Sequence, residues 1–279
     1  MKRRQFVLAA AALATSARPR AQARPGTVAL VLGGGGCRGY GHIGVLRVLE
    51  KQGFKPDLVV GSSVGALVGA FYAAGMSAYE IERYGDRMTP NMLRSWIFPG
   101  LGFFSGSGIR RFVAEHAGTR PIELLPTRFA AIATDLLSGE MKVLDRGDLG
   151  LAVQASASAP GLLEPVRLDG RPYVDGNLSA PVPVDAARRL GAARVLAVDV
   201  TFPPEQADLN DPFDALYQGF SILTRKLAEE ERARADVLLL PPIPEHNDMK
   251  PATLKAIVAA GEGAATAALP GLRKLFGER

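Results

Sequence analysis

The sequence predicts one α/β domain on a largely parallel sheet, covered by helices on both faces. Three observations carry that expectation. Short apolar, β-branched runs alternate with longer stretches at helical spacing, as strands and crossover helices do. The chain of 279 residues is long enough for one large, well-buried core. Between residues 24 and 279 no linker, internal repeat or low-complexity tract divides it.

The elements follow in order. Thr27–Leu32 reads as a buried strand, followed by the glycine loop 33–36. From Arg38 to Gln52, Ile43, Val45, Leu46, Val48 and Leu49 recur at helical spacing. Asp57–Val60 is a second short strand, Gly61–Gly65 a turn, and Ala66–Ala74 a small-residue helix suited to packing on a sheet. Further strands are expected at Arg128–Thr134, Met141–Leu144, Arg194–Val200 and Val237–Leu240. Further helices are expected at Ile109–His116, Leu149–Ser156, Pro183–Leu190, Ala215–Ala235 and Thr253–Leu269. Thr201–Pro212, rich in Pro and Asp, reads as an insertion loop on the same domain.

Composition removes several classes. Apolar residues are 47% and charged residues 22% of the chain, ordinary values for a globular protein. The formal charge of +5 is carried by Lys2, Arg3, Arg4, Arg18 and Arg20, with no acid before Arg24. The remainder is neutral, so the charge points to no nucleic-acid partner. Cys37 is the single cysteine, which excludes an internal disulfide and a Cys-rich metal site. His, Asp and Glu show no metal-ligand spacing either. No metal and no cofactor is therefore expected.

Residues 1–23 read as an export signal. Lys2-Arg3-Arg4 precedes an apolar run from Phe6 to Ala14, and Ala21-Gln22-Ala23 has the small-x-small pattern of a cleavage site. Arg3-Arg4-Gln5-Phe6-Val7 resembles a twin-arginine signal core. The expected mature protein starts at Arg24 and is periplasmic or secreted.

The strongest chemical signal is Gly61-Ser62-Ser63-Val64-Gly65, a G-x-S-x-G between a strand and a helix. That context presents the serine on a sharp turn, with glycines relieving the crowding around it. The second signal is Gly33-Gly34-Gly35-Gly36-Cys37-Arg38-Gly39. Its backbone N–H groups, at a helix N-terminus, suit either a phosphate or the oxyanion of acyl transfer, and Arg38 adds a cation. The loop also matches G-x-G-x-x-G, the dinucleotide fingerprint. That fold wants an acid at the end of the second strand, and here Asp57 stands at its start. The third, Tyr173-Val174-Asp175-Gly176-Asn177, reads by itself as a turn. Of the three histidines, His42, His116 and His246, His246 alone follows Asp175 as a Ser–acid–His order requires.

The three segments, in this order and spacing, resemble the patatin-like phospholipase family, whose blocks read G-G-G-x-[KR]-G, G-x-S-x-G and D-G-[GA]. Ala155–Pro160 is similar to a further family block, and the resemblance runs from about Val28 to Val200. It implies a three-layer α/β/α sandwich and hydrolysis of lipid acyl esters by a Ser–Asp dyad. By position, Ser63 is then the nucleophile and Asp175 the base. Gly34, Gly35, Gly36 and Cys37 form the oxyanion hole, and Arg38 binds substrate. Asn177 departs from the family's Gly or Ala. It supports the alternative of a catalytically impaired lipid- or anion-binding protein on the same fold.

Trp96-Ile97-Phe98 and Leu101-Gly102-Phe103-Phe104 are apolar for a loop. They read either as a flap or lipid-contacting edge, with peripheral membrane contact, or as side chains buried beneath the loop.

Overall fold

Val28–Leu32 forms β1, with all five residues buried, in a computed structural model that describes residues 26–85, 100–203, 209–210, 212–244 and 250–277. A strand buried on both faces must be covered from two sides. Its side chains divide accordingly: Val28, Leu30 and Leu32 enter one apolar core, Ala29 and Val31 another.

After β1 come α1 (Tyr40–Gln52), β2 (Leu58–Ser62), α2 (Val64–Ala73), α3 (Ala78–Gly85), β3 (Gly102–Phe104), α4 (Ser107–Ala117), β4 (Arg128–Asp135) and β5 (Met141–Leu144). They are followed by α5 (Leu149–Ser156), β6 (Gly161–Leu163), β7 (Val166–Leu168), β8 (Arg171–Asp175), α6 (Val184–Arg189) and β9 (Arg194–Val198). The chain continues through α7 (Pro212–Arg232), β10 (Val237–Leu239), α8 (Pro251–Ala267) and α9 (Leu269–Phe276).

Strands β10, β9, β1, β2 and β4 lie side by side and parallel. The larger core packs α1, α2, α4 and α8 on one face, through Ile43, Leu46, Leu67, Phe112 and Ile257. The smaller core packs α6 and Ala228 of α7 on the other face. These are the three layers expected, with helices on both sides of a largely parallel sheet.

The far end of the sheet is antiparallel and positions the site. β4 pairs with β5 through residues 131–134, with β2 through 128–132, and with β8 through 133–135. A strand has two edges, and the β5 pairing overlaps both of the others. β2 and β8 therefore share the opposite edge of β4. They approach from opposite directions, and their C-terminal ends meet: Ser62 stands opposite Ile132, and Asp175 opposite Ala133.

The sequence expectations miss β3, β6, β7, β8, α3 and α9. Three-residue strands carry no usable periodicity, and Arg171 and Pro172 interrupt the apolar signal of β8. α9 begins directly after α8 with Pro270 in its first turn, where a missing N–H is tolerated. Leu272 and Leu275 bury its inner side.

Candidate active site

The turn between β2 and α2 is tighter than ordinary residues permit. Ser63 has φ 54° and ψ −122°, a strained conformation worth roughly 1–3 kcal/mol for a residue with a side chain. Its neighbours explain how this is tolerated. A Cβ on Gly65 would lie 2.1 Å from the Leu32 carbonyl oxygen, so only glycine lets α2 start against the end of β1. The Ser63 N–H donates to Ser156 Oγ at 3.0 Å.

The abutting strand ends bring the acid to the serine. Ser63 Oγ donates to Asp175 Oδ2 at 2.7 Å. The other carboxylate oxygen, Oδ1, accepts from the Asn177 N–H at 2.9 Å. Backbone bonds fix Asp175 from both sides: its N–H donates to Ser158 O at 2.9 Å, and Thr134 Oγ1 donates to its carbonyl at 2.8 Å. Gly176 follows because a Cβ there would stand 2.3 Å from Ile132 O and 2.5 Å from Ser62 Oγ. The Asp-Gly pair that looks like a plain turn in sequence is thus the seam between β8 and β2.

Asp175 is 6% exposed. Burial pushes its carboxyl up from an ordinary 3.8 to about 6, against the opposing pull of the bonds from Asn177 and Ser63. A carboxylate poised this way, within bonding distance of a hydroxyl, is suited to accept a proton near neutral pH.

The glycine loop lies beside this pair, with one correction to the expected oxyanion donors. The Gly34 N–H is committed to Pro181 O at 3.0 Å, so it cannot face an oxyanion. The Gly35 and Gly36 N–H groups have no acceptor among the described residues. Gly36 and Cys37 line the same cavity as Ser63. Arg38, expected to bind substrate, does not line that cavity. It is 5% exposed, its Nε donates to Val200 O at 3.0 Å, and its guanidinium lies over the Phe202 ring, 5.4 Å from the centroid. Arg38 ties the loop to the segment after β9.

Asn177 stands between the two halves of the site. Its amide lies against Gly34, where a Cβ would be 2.0 Å from Asn177 Oδ1, and that oxygen is buried without a hydrogen-bond partner among the described residues. The side chain therefore faces the glycine loop, while its backbone N–H serves the carboxylate.

Two histidines are placed away from the serine. His42 is fully buried, with Nε2 2.7 Å from Gly33 O, and burial lowers its pKa to about 4 despite that bond. It is a neutral strut beneath the glycine loop. His116 stacks on Tyr84 at 4.1 Å between ring centroids. His246 and Trp96-Ile97-Phe98 lie outside the described residues, as does the expected export signal. Residues with no individual signal in the sequence also build the site: Thr134, Ser156, Ser158 and His42. Of these, Ser156 and Ser158 fall within the small-residue run Ala155–Pro160.

Ser63 and Asp175 open onto a cavity of about 450 Å³. Its walls are mostly apolar, with Ile43, Leu67, Val68, Phe71, Ile109 and Phe112 among them.

The patatin-like phospholipase family model matches residues 30–188, more than half of the chain. The chain belongs to the patatin-like phospholipase family. Human patatin-like phospholipase domain-containing protein 6 is 35% identical over 209 residues, which are 72% of this chain and 15% of that protein. An uncharacterized NTE family protein of Mycobacterium bovis is 36% identical over 176 residues, 62% of this chain and 49% of that one. The chain thus spans about half or less of the length of these relatives. VipD from Legionella pneumophila shares the fold, with a TM-score of 0.57 and 14% identity over 89% of this chain and 67% of its own. The matched span includes the glycine loop, Ser63 and Asp175, and Gly36, Ser63 and Asp175 line one cavity.

Proposed function

We propose that this protein hydrolyses lipid acyl esters through a Ser63–Asp175 dyad, as an exported periplasmic or secreted enzyme. The observation that carries the reading is the 2.7 Å bond from Ser63 Oγ to a buried Asp175 carboxylate, at the wall of an apolar cavity. A hydroxyl is a weak nucleophile until a base takes its proton, and no other group intervenes between this pair.

Asp175 removes the Ser63 proton as Oγ attacks the ester carbonyl. The oxyanion is held by amides of the glycine loop around Gly35, Gly36 and Cys37, and the acyl chain lies along the apolar wall. Protonated Asp175 passes its proton to the leaving alcohol, and the C–O bond breaks. Water then loses a proton to Asp175 and attacks the acyl-enzyme; the ester bond to Oγ breaks, Asp175 returns the proton to Oγ, and the acid leaves. An active-site fluorophosphonate tests this. It should label the wild-type protein and leave Ser63→Ala unlabelled. Folded wild type that takes no label supports instead the impaired, lipid- or anion-binding reading.

A further inference from the structure

Helix α7 departs from the rule that a surface helix turns polar residues to water. Tyr217, Phe220, Ser221 and Thr224, at i, i+3, i+4 and i+7, line the cavity that holds Ser63. The opposite side is apolar too: Leu216 and Leu223, one heptad apart, are 61% and 62% exposed, with Ile222 beside them at 44%. Between Asp214 and Glu229 this helix has no acid, and its charges are Arg225 and Lys226. Exposed apolar residues with a few basic ones are the composition of a helix that lies in a lipid interface. The C-terminal half of α7 is anchored, with Ala228 fully buried and Arg232 paired to Asp199 at 2.7 Å.

A second element shows the same departure. β3 and β6 pair in parallel, Gly102 with Gly161 and Phe104 with Leu163. Side chains alternate along each strand, so Leu101, Phe103 and Leu162 share one face. They are 58%, 48% and 46% exposed, whereas Leu163 on the other face is 2% exposed. Phe104 packs half-buried against the core. The two sequence readings of this segment therefore divide by face: Phe103 points out and Phe104 in.

We propose that the outer side of α7 and the Leu101–Phe103–Leu162 face together dock on a phospholipid surface and pass lipid into the cavity. The inference rests on the lipid-hydrolase reading of that cavity. Continuity decides the occupant. Tyr217 and Leu162 each line the cavity and are each about half exposed, so the outer patch and the inner wall form one apolar surface. A second copy of the chain seated there would cover the entrance. A lipid surface supplies it.

The test is co-sedimentation of the purified protein with vesicles of palmitoyl-oleoyl-phosphatidylcholine. Wild type should sediment with them. Leu216→Ser/Leu223→Ser and Leu101→Ser/Phe103→Ser should each lower the vesicle partition coefficient about tenfold or more. Both pairs should keep the melting temperature and the hydrolysis of a soluble ester such as p-nitrophenyl butyrate. Leu124→Ser, which removes an equally exposed leucine at the N-terminal end of β4, away from Ser63, should bind as wild type does. Wild type left in the supernatant overturns the proposal. So does a Leu216/Leu223 variant that binds undiminished, or a wild-type dimer that these substitutions split without changing vesicle binding. Vesicle binding by a folded protein that hydrolyses no ester would remove the enzymatic reading and leave the docking surface standing. Ester hydrolysis without vesicle binding would do the reverse.

Discussion

Replacing Asp175 by Asn should abolish turnover and, at pH 8, make the protein more stable. The carboxyl is raised to about 6 from an ordinary 3.8, and each pKa unit corresponds to about 1.4 kcal/mol. At 6% exposure solvent does little to screen the difference. The buried charge therefore opposes folding by about 3 kcal/mol above pH 6. The sign follows from which state holds the proton more tightly. With its folded pKa raised, the native state does. The penalty is nearly absent below about pH 4, grows between 4 and 6, and is complete above 6. Asn keeps both contacts, accepting from the Asn177 N–H and donating to Ser63 Oγ, so the substitution removes the charge and little else. Urea unfolding at pH 8 should show Asp175→Asn more stable by about 3 kcal/mol, and at pH 4 most of that difference should be gone. The corresponding rise in melting temperature is about 2–4 °C per kcal/mol for a chain of this size. An inactive, folded Asp175→Asn no more stable than wild type at pH 8 would refute the desolvation argument. Retained activity would refute the role of Asp175 as base.

The same carboxyl should set the acid limb of activity. kcat/KM on a soluble ester should fall about tenfold per pH unit below about 6, because the base must be ionised. His42→Gln, His116→Gln and His246→Gln should leave that limb in place wherever the variants fold, and a folded His246→Gln as inactive as Ser63→Ala would replace the dyad by a triad. Asn177→Ala removes a buried, unpartnered oxygen but keeps the backbone bond to Asp175, so denaturation should show unchanged stability or a gain of about 1 kcal/mol. Its activity should stay near wild type; a hundredfold loss would place the Asn177 amide in the chemistry.

Much of the fold is legible in the chain because its central elements are continuous apolar runs or carry a helical period. Val28–Leu32 and Ala66–Ala73 are apolar or small throughout, and Leu149–Ser156 departs from that pattern only at Gln154. The antiparallel end is not legible. β7 has three residues, and Arg171 and Pro172 open the strand that delivers Asp175. A strand of that kind is chosen by the free edge of β4 it fills, which no local pattern encodes.

The division at the site has the same cause. By itself the sequence determines a strand–turn–helix with Ser63 at its apex, because Gly61 and Gly65 with flanking β2 and α2 leave few other conformations. It likewise determines a glycine-rich turn between β1 and α1. Tertiary structure alone decides the rest. It brings Asp175 to Ser63 across 112 positions by seating β2 and β8 end to end on one edge of β4. It commits the Gly34 amide to Pro181, anchors Arg38 on Val200, and turns both sides of α7 apolar, one to the cavity and one to the surface. Each of these depends on which distant groups the fold brings together, a proximity that spacing along a chain does not contain.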